Sequence, residues 1–94
     1  MWDKAAYRLW DGVQVREEDF GLLFYDYRGP KLIFVPSKDL IPGDFFSGNS
    51  TTGALVESLC SRHGESYREP VRKQVDRILE ILLSKGLIYE QPVC

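Results

Sequence analysis

Cys60 and His63 stand one helical turn apart, a spacing at which a thiolate and an imidazole can share a metal ion or act together on an electrophile. Zinc would still need Cys94 or an acidic side chain to complete a tetrahedron, because no second Cys/His pair lies nearby. A thiol nucleophile would need a third residue to orient the imidazole, and none is evident. Glycine-rich phosphate loops, nucleotide fingerprints and paired acids in a supporting motif are also absent from the sequence. The pair therefore reads as a buried Cys and a helix-end His, and the chain as a non-enzyme with no metal and no cofactor.

A second set of residues points to binding. Arg68, Arg72, Lys73 and Arg77, set against Glu69 and Asp76, open a long helical stretch. They form either a solvated face or a positive rim receptive to an acidic peptide. Upstream, Gly21-Leu22-Leu23-Phe24-Tyr25-Asp26 and Lys31-Leu32-Ile33-Phe34-Val35 form a hairpin that is apolar on both faces. Side chains alternate along a strand, so Leu22, Phe24, Ile33 and Val35 share one face, and Leu23, Tyr25, Leu32 and Phe34 the other. An antiparallel sheet in a small soluble domain usually buries one face and wets the other. Apolar residues on both, with a free edge of unpaired N–H and C=O groups, suit a protein that adds a segment of another chain to its sheet. Tyr7, Trp10, Tyr25 and Tyr27 lie near this sheet, and any that stay exposed would mark a contact surface.

The elements that position these groups follow from local pattern. Val13 to Glu17 alternates as a first strand after Asp11-Gly12, and Glu17-Glu18-Asp19 turns the chain. The second strand spans about Gly21 to Tyr27. Arg28-Gly29 is expected to close a two-residue turn with positive φ at Gly29, pairing Asp26 with Lys31, Phe24 with Ile33 and Leu22 with Val35. Pro36-Ser37 ends the third strand, and Ser37 is expected to cap a short helical turn through Lys38 to Ile41. Residues 42 to 50 read as a loop pinned to the core by Phe45 and Phe46. Ser50 or Thr51 caps a helix through about Arg62, with Leu55, Val56, Leu59 and Cys60 on one face and Gly64 beyond its end. The long helix runs from about Arg68 to Lys85, with Pro70 in its first turn and a core stripe of Val71, Val75, Ile78, Leu79 and Leu82. Ile81 and Leu83 broaden that stripe. Gly86 ends the helix, and Leu87 and Ile88 fold back on it.

The resulting expectation is one α+β domain over residues 1–94. A three-stranded antiparallel sheet at about 12–36 precedes two or three helices at about 37–86, in a winged-helix-like order. The 94 residues, 44% of them hydrophobic, suffice for one core. A net charge of −2 and a pI of about 5.3 argue against a nucleic-acid partner, whose domains commonly exceed a pI of ~9. The opening Met1-Trp2-Asp3-Lys4 lacks a signal-peptide pattern, and no apolar run is long enough to span a membrane. With two unpatterned cysteines, a reduced cytoplasmic compartment is the expected location.

The stretch Tyr7-Arg8-Leu9-Trp10-Asp11-Gly12-Val13-Gln14-Val15-Arg16-Glu17-Glu18-Asp19-Phe20-Gly21-Leu22-Leu23-Phe24-Tyr25 resembles the opening of the mycofactocin precursor-peptide chaperones. These fall among the PqqD-like RiPP recognition elements, the wider group of the pyrroloquinoline-quinone peptide chaperone. Arg16-x-x-x-Phe20-Gly21 and the apolar strand after it carry most of the likeness. Leu32 to Val35, the long helix and Lys85-Gly86-Leu87-Ile88 extend it over most of the chain. The resemblance implies a non-catalytic domain that binds the leader of a ribosomally made precursor and presents it to a radical S-adenosylmethionine maturase. It further implies that the leader adds as a strand to Lys31, Leu32, Ile33, Phe34 and Val35, against Arg72, Lys73, Arg77, Ile78 and Ile81 of the long helix. The loop-like segment 42–50 departs from the family, whose first helix is usually fuller. A winged-helix DNA-binding regulator and a module dimerising through its edge strands are the rival readings.

Overall fold

The structure, a computed structural model, describes residues 4–37 and 40–91. Five strands and two α-helices follow one another as β1 (Tyr7–Leu9), β2 (Val13–Glu18), β3 (Gly21–Asp26), β4 (Lys31–Val35), α1 (Thr52–His63), α2 (Arg68–Ser84) and β5 (Ile88–Glu90). The class is α+β, as expected, with an antiparallel sheet ordered β2-β3-β4. One part of the expected order is corrected. Strand β1 pairs antiparallel with β5 as a separate two-stranded sheet, so strands lie on both sides of the helices in the chain. Three residues are too few for alternation to register in a sequence, and the partner strand lies some eighty residues away.

The β3–β4 register is the expected one: Leu22 opposes Val35, Phe24 opposes Ile33 and Asp26 opposes Lys31. The turn differs. Strand β3 ends at Asp26, and Gly29 is not among the glycines with positive φ. The turn is held instead by the Asp26 carboxylate, which accepts from the Arg28 backbone N–H at 3.0 Å and from its guanidinium at 2.9 and 3.0 Å. That hydrogen-bonded pair lowers the Asp26 pKa below the ordinary carboxylate value. The same guanidinium donates to the Gly86 carbonyl at 2.7 Å and so ties the turn to the far end of α2.

Both helices end as their residues dictate. Thr51 caps α1, its Oγ1 accepting the Ala54 N–H at 3.1 Å. Helix α2 closes with Gly86 at φ 71°, Gly86 N–H donating to Leu83 O and Leu87 N–H to Leu82 O, while Leu87 buries fully. The segment expected to be a plain loop contains a 3-10 turn over Gly43–Phe46. As expected, its Phe45 and Phe46 are buried, Phe46 lying edge-on to Phe24 with centroids 5.6 Å apart. Leu22, Phe24 and Val35 from the sheet meet Val75, Ile78, Leu79 and Leu82 from α2 and Leu55 and Leu59 from α1 in one core. The helical turn expected after β4 falls partly on Lys38 and Asp39, which lie outside the described residues. Leu40 N–H donates to Ser37 O at 3.0 Å, but the Ser37 hydroxyl makes no cap bond.

Candidate functional site

Strand β4 has one neighbour, β3, so its other edge presents backbone donors and acceptors to whatever lies beside it. Two points fix how that edge lies relative to α2. At the β3–β4 turn, Arg28 holds Gly86 at the C-terminal end of the helix. At the other end of β4, Pro36 and Ser37 face Val71, Gln74 and Ile78, near the N-terminal end. The strand therefore runs antiparallel to the helix. The five residues of β4 cover roughly 17 Å, and the fourteen from Val71 to Ser84 roughly 20 Å of helix, so the two are similar in length.

Where they part at the Ser37 end, a cleft of about 490 Å³ opens between Pro36, Ser37, Leu40, His63, Tyr67, Val71, Gln74 and Ile78. Tyr67, Val71, Gln74 and Ile78 succeed one another by four, three and four residues, and Ile81 continues the series by three. A helix at about 100° per residue aligns such a series into one stripe. Val71 and Ile78 in it are buried, whereas Tyr67, Gln74 and Ile81 are exposed, Ile81 at 38%. The lining mixes apolar side chains with His63, Gln74 and Ser37. Ser37 is buried and its Oγ has no hydrogen-bond partner, which costs about 1–3 kcal/mol for a desolvated hydroxyl.

The residues expected to form the site are thus divided. Lys31, Leu32, Ile33, Phe34 and Val35 all lie on the free-edged strand. Ile33 and Val35 face the core, whereas Leu32 at 62% and Phe34 at 48% exposure stand on the opposite, open face with Leu23 and Tyr25. Ile78 lines the cleft; by helix periodicity Ile81 continues on its side of α2, with Arg77 next to Ile81 toward the outer face. Arg72 does not join them: it borders a depression against α1, formed with Gly53, Val56, Glu57 and Arg68. Lys73 lies on the outer face of α2 with Glu69, Arg72 and Asp76. Arg68, which opens the basic run, is held by Glu57 at 2.7 Å and by Glu65, and these hydrogen bonds push its pKa further up. Part of the positive rim is therefore spent within the fold.

The sequence reading missed Pro36, Leu40, Tyr67 and Gln74 as a lining, and Ser37 and His63 as its polar members. The 67-71-74-78-81 spacing carried the helix half of that signal. The strand half needed the direction of β4, which the Arg28–Gly86 bond and the packing of Pro36 and Ser37 against α2 supply. Of the other chemistry-bearing residues, Cys60 is a buried free thiol, and His63 is exposed at the cleft rim. Among the described residues no three His, Cys, Asp or Glu side chains are grouped to hold a metal ion. Of the four aromatics near the sheet, Trp10 and Tyr27 remain exposed while Tyr7 is buried.

A family model described as the peptide chaperone MftB family matches residues 6–88. The chain belongs to the peptide chaperone MftB family. The match takes in β1 to β4, both helices and the cleft, ending at the first residue of β5, and it agrees with the resemblance to mycofactocin precursor-peptide chaperones read from the sequence. No curated protein and no solved structure matches the chain. Family membership implies a precursor peptide as partner and a chaperone's role in mycofactocin biosynthesis. Among the described residues no helix is long and apolar enough to cross a membrane.

Proposed function

We propose that this chain is a non-catalytic carrier for the leader segment of a ribosomally made precursor peptide. The leader adds as a fourth strand to the free edge of β4, and alternate side chains settle over the α2 stripe. A radical S-adenosylmethionine maturase then meets the tethered precursor, and tethering makes that second encounter effectively intramolecular. The observation that carries this reading is a strand with one free edge, held antiparallel to α2 at both ends, with a cleft at its Ser37 end.

Presentation also needs a surface that stays free once the groove is filled. The outward face of the sheet (Leu23, Tyr25, Leu32 and Phe34) meets that need, because it lies on the other side of the strands from α2. The exposed portions of Tyr27, Leu32 and Phe34 sum to roughly 300 Å², which is within the range of functional patches and below the ~800 Å² per partner of a stable interface. A transient encounter fits that area better than a permanent dimer.

The deciding experiment is hydrogen exchange on the chain with and without the leader encoded by a neighbouring precursor gene. Slowed exchange across Lys31 to Val35, together with micromolar or tighter binding, is the expected result. Binding without protection of that edge would place the leader elsewhere. A concentration-dependent dimer that protects the same amides in the absence of leader would favour the dimerisation module.

A further inference from the structure

We propose that Arg28 is a positioning residue for leader binding: it latches the Lys31 end of β4 to the C-terminal end of α2, so that the free strand edge and the Ile81 end of the helix act on one peptide. The inference rests on the strand-addition reading for its biological use, but the latch can be measured without any leader. Three segments meet at this side chain. Its guanidinium donates twice to the Asp26 carboxylate, at 2.9 and 3.0 Å. The Nη2 that serves Asp26 Oδ2 also donates to Gly86 O, at 2.7 Å. The stem lies against Gly12, where a Cβ would stand 2.9 Å from Arg28 Cγ, and the Tyr27 N–H beside it donates to Gly12 O at 2.7 Å. One residue past Gly86, Leu87 O accepts the Trp10 N–H at 3.1 Å.

Asp26 aims the guanidinium. Two parallel bonds from one carboxylate fix its plane, and a lysine ammonium cannot reproduce that fork while also reaching Gly86 O. The Gly86 carbonyl belongs to the backbone that closes α2, so the bond fixes the helix end itself rather than a mobile side chain. At the other end of β4, Pro36 and Ser37 face Val71, Gln74 and Ile78 independently of Arg28. Removing Arg28 therefore frees one end of the strand and leaves the other seated. A leader that needs both the β4 edge and Ile81 must then restore the alignment at the expense of its own affinity. The Arg28 side chain is 43% exposed, so truncating it opens little of the core.

The test compares the native chain with Arg28→Ala, Arg28→Lys and Asp26→Asn, each with and without Ile81→Ala, by calorimetric titration of the leader encoded by a neighbouring precursor gene. Arg28→Ala should weaken the leader about 2- to 12-fold, the value of one net hydrogen bond. Asp26→Asn should also weaken it, and Arg28→Lys should restore only part of the loss. Ile81→Ala should cost less affinity in the Arg28→Ala chain than in the native one, because strand edge and helix no longer act together. Direct pairing of Arg28 with a leader carboxylate gives the reverse pattern: Asp26→Asn frees the guanidinium and tightens binding, and lysine serves nearly as well. That pattern would overturn the proposal, as would affinities within about 1.5-fold of native for both Arg28→Ala and Asp26→Asn. Without leader, NMR relaxation should report new motion at residues 27–31 in Arg28→Ala and Asp26→Asn, and unchanged relaxation there would also overturn it. The two readings separate cleanly. Leader protection on β4 with native affinity in these variants keeps the groove and removes the latch. New motion at the turn in a chain that binds no leader keeps the latch and removes the groove.

Discussion

Ile81 and Leu83 offer a matched pair for locating the leader. The two side chains are almost equally exposed, at 38% and 39%, and sit two residues apart on α2. Two residues are about 200° of helix, so they point to nearly opposite sides. Ile81 continues the groove stripe, whereas Leu83 follows Arg72 and Leu79 on the other flank. Burying a whole Ile or Leu side chain stabilises by about 1.5–3 kcal/mol. A peptide covering the exposed two-fifths of Ile81 therefore gains about 0.6–1.2 kcal/mol, a factor of roughly three to eight in affinity. Ile81→Ala should weaken leader binding by that factor, and Leu83→Ala should leave it within about 1.5-fold. Neither should cost folding what Ile78→Ala would, since truncating a fully buried Ile typically costs about 2–5 kcal/mol. Titration calorimetry gives the affinities and thermal melts confirm that the variants remain folded. Equal losses from both variants, or a larger loss from Leu83→Ala, would place the peptide on the wrong side of α2 for everything argued above.

Other expectations follow from the same geometry. Arg77→Glu should weaken an acidic leader about threefold at 0.15 M salt and more at low salt, if a leader carboxylate lies about 6 Å away; Arg72→Glu, on the α1 flank, should change leader affinity little, as salt-dependent titrations will show. Gly21→Ala should destabilise the fold by about 1–3 kcal/mol, because the new Cβ overlaps the Val35 carbonyl and crowds Pro36 and Ser37 backbone atoms that have no flexible end to move aside; thermal melts will register it. Leu23→Thr with Tyr25→Thr, on the central strand away from the β4 edge, should preserve leader affinity while weakening capture of the maturase in a pull-down. Tyr7 has its pKa raised, by burial first and then by Glu90 and Asp76. Its neutral form is thus favoured in the fold, so that contribution is complete below pH ~10 and is lost as pH rises through the higher folded value. Melts between pH 9 and 11 should show the native chain losing more stability than Tyr7→Phe over that range.

The hairpin register was legible because apolar residues oppose one another along both strands behind an opposite-charge pair at the tip. Both helices were legible to within two residues because Thr51, Gly64 and Gly86 punctuate strongly periodic segments. Two kinds of feature escaped. Pairing of Tyr7–Leu9 with Ile88–Glu90 leaves no local trace, since three residues show no period and nothing in either strand names its partner. The turn at residues 27–30 looked like a glycine turn, but Arg28 took over the role by bonding Asp26 and then reaching to Gly86. That one arginine also sets which end of β4 meets which end of α2. Reading the basic run of α2 as a single rim failed for a related reason: at 100° per residue, Arg72 and Arg77 cannot line the same groove.

Under the function proposed above, the two-sided apolar hairpin serves two jobs on one small sheet. Leu22, Phe24, Ile33 and Val35 pack the sheet into the core that it shares with α2. Had the opposite row been polar, the groove would still form and a leader could still bind. What the leader would then lack is an adjoining surface for an enzyme to recognise the loaded carrier. A fourth strand added to β4 places every second side chain on the open face, next to Leu32 and Phe34. The bound leader would thus enlarge the patch that a maturase meets, and an empty carrier would present less of it. Discrimination between loaded and empty carrier then needs no conformational change, only the geometry of strand addition beside two exposed apolar residues.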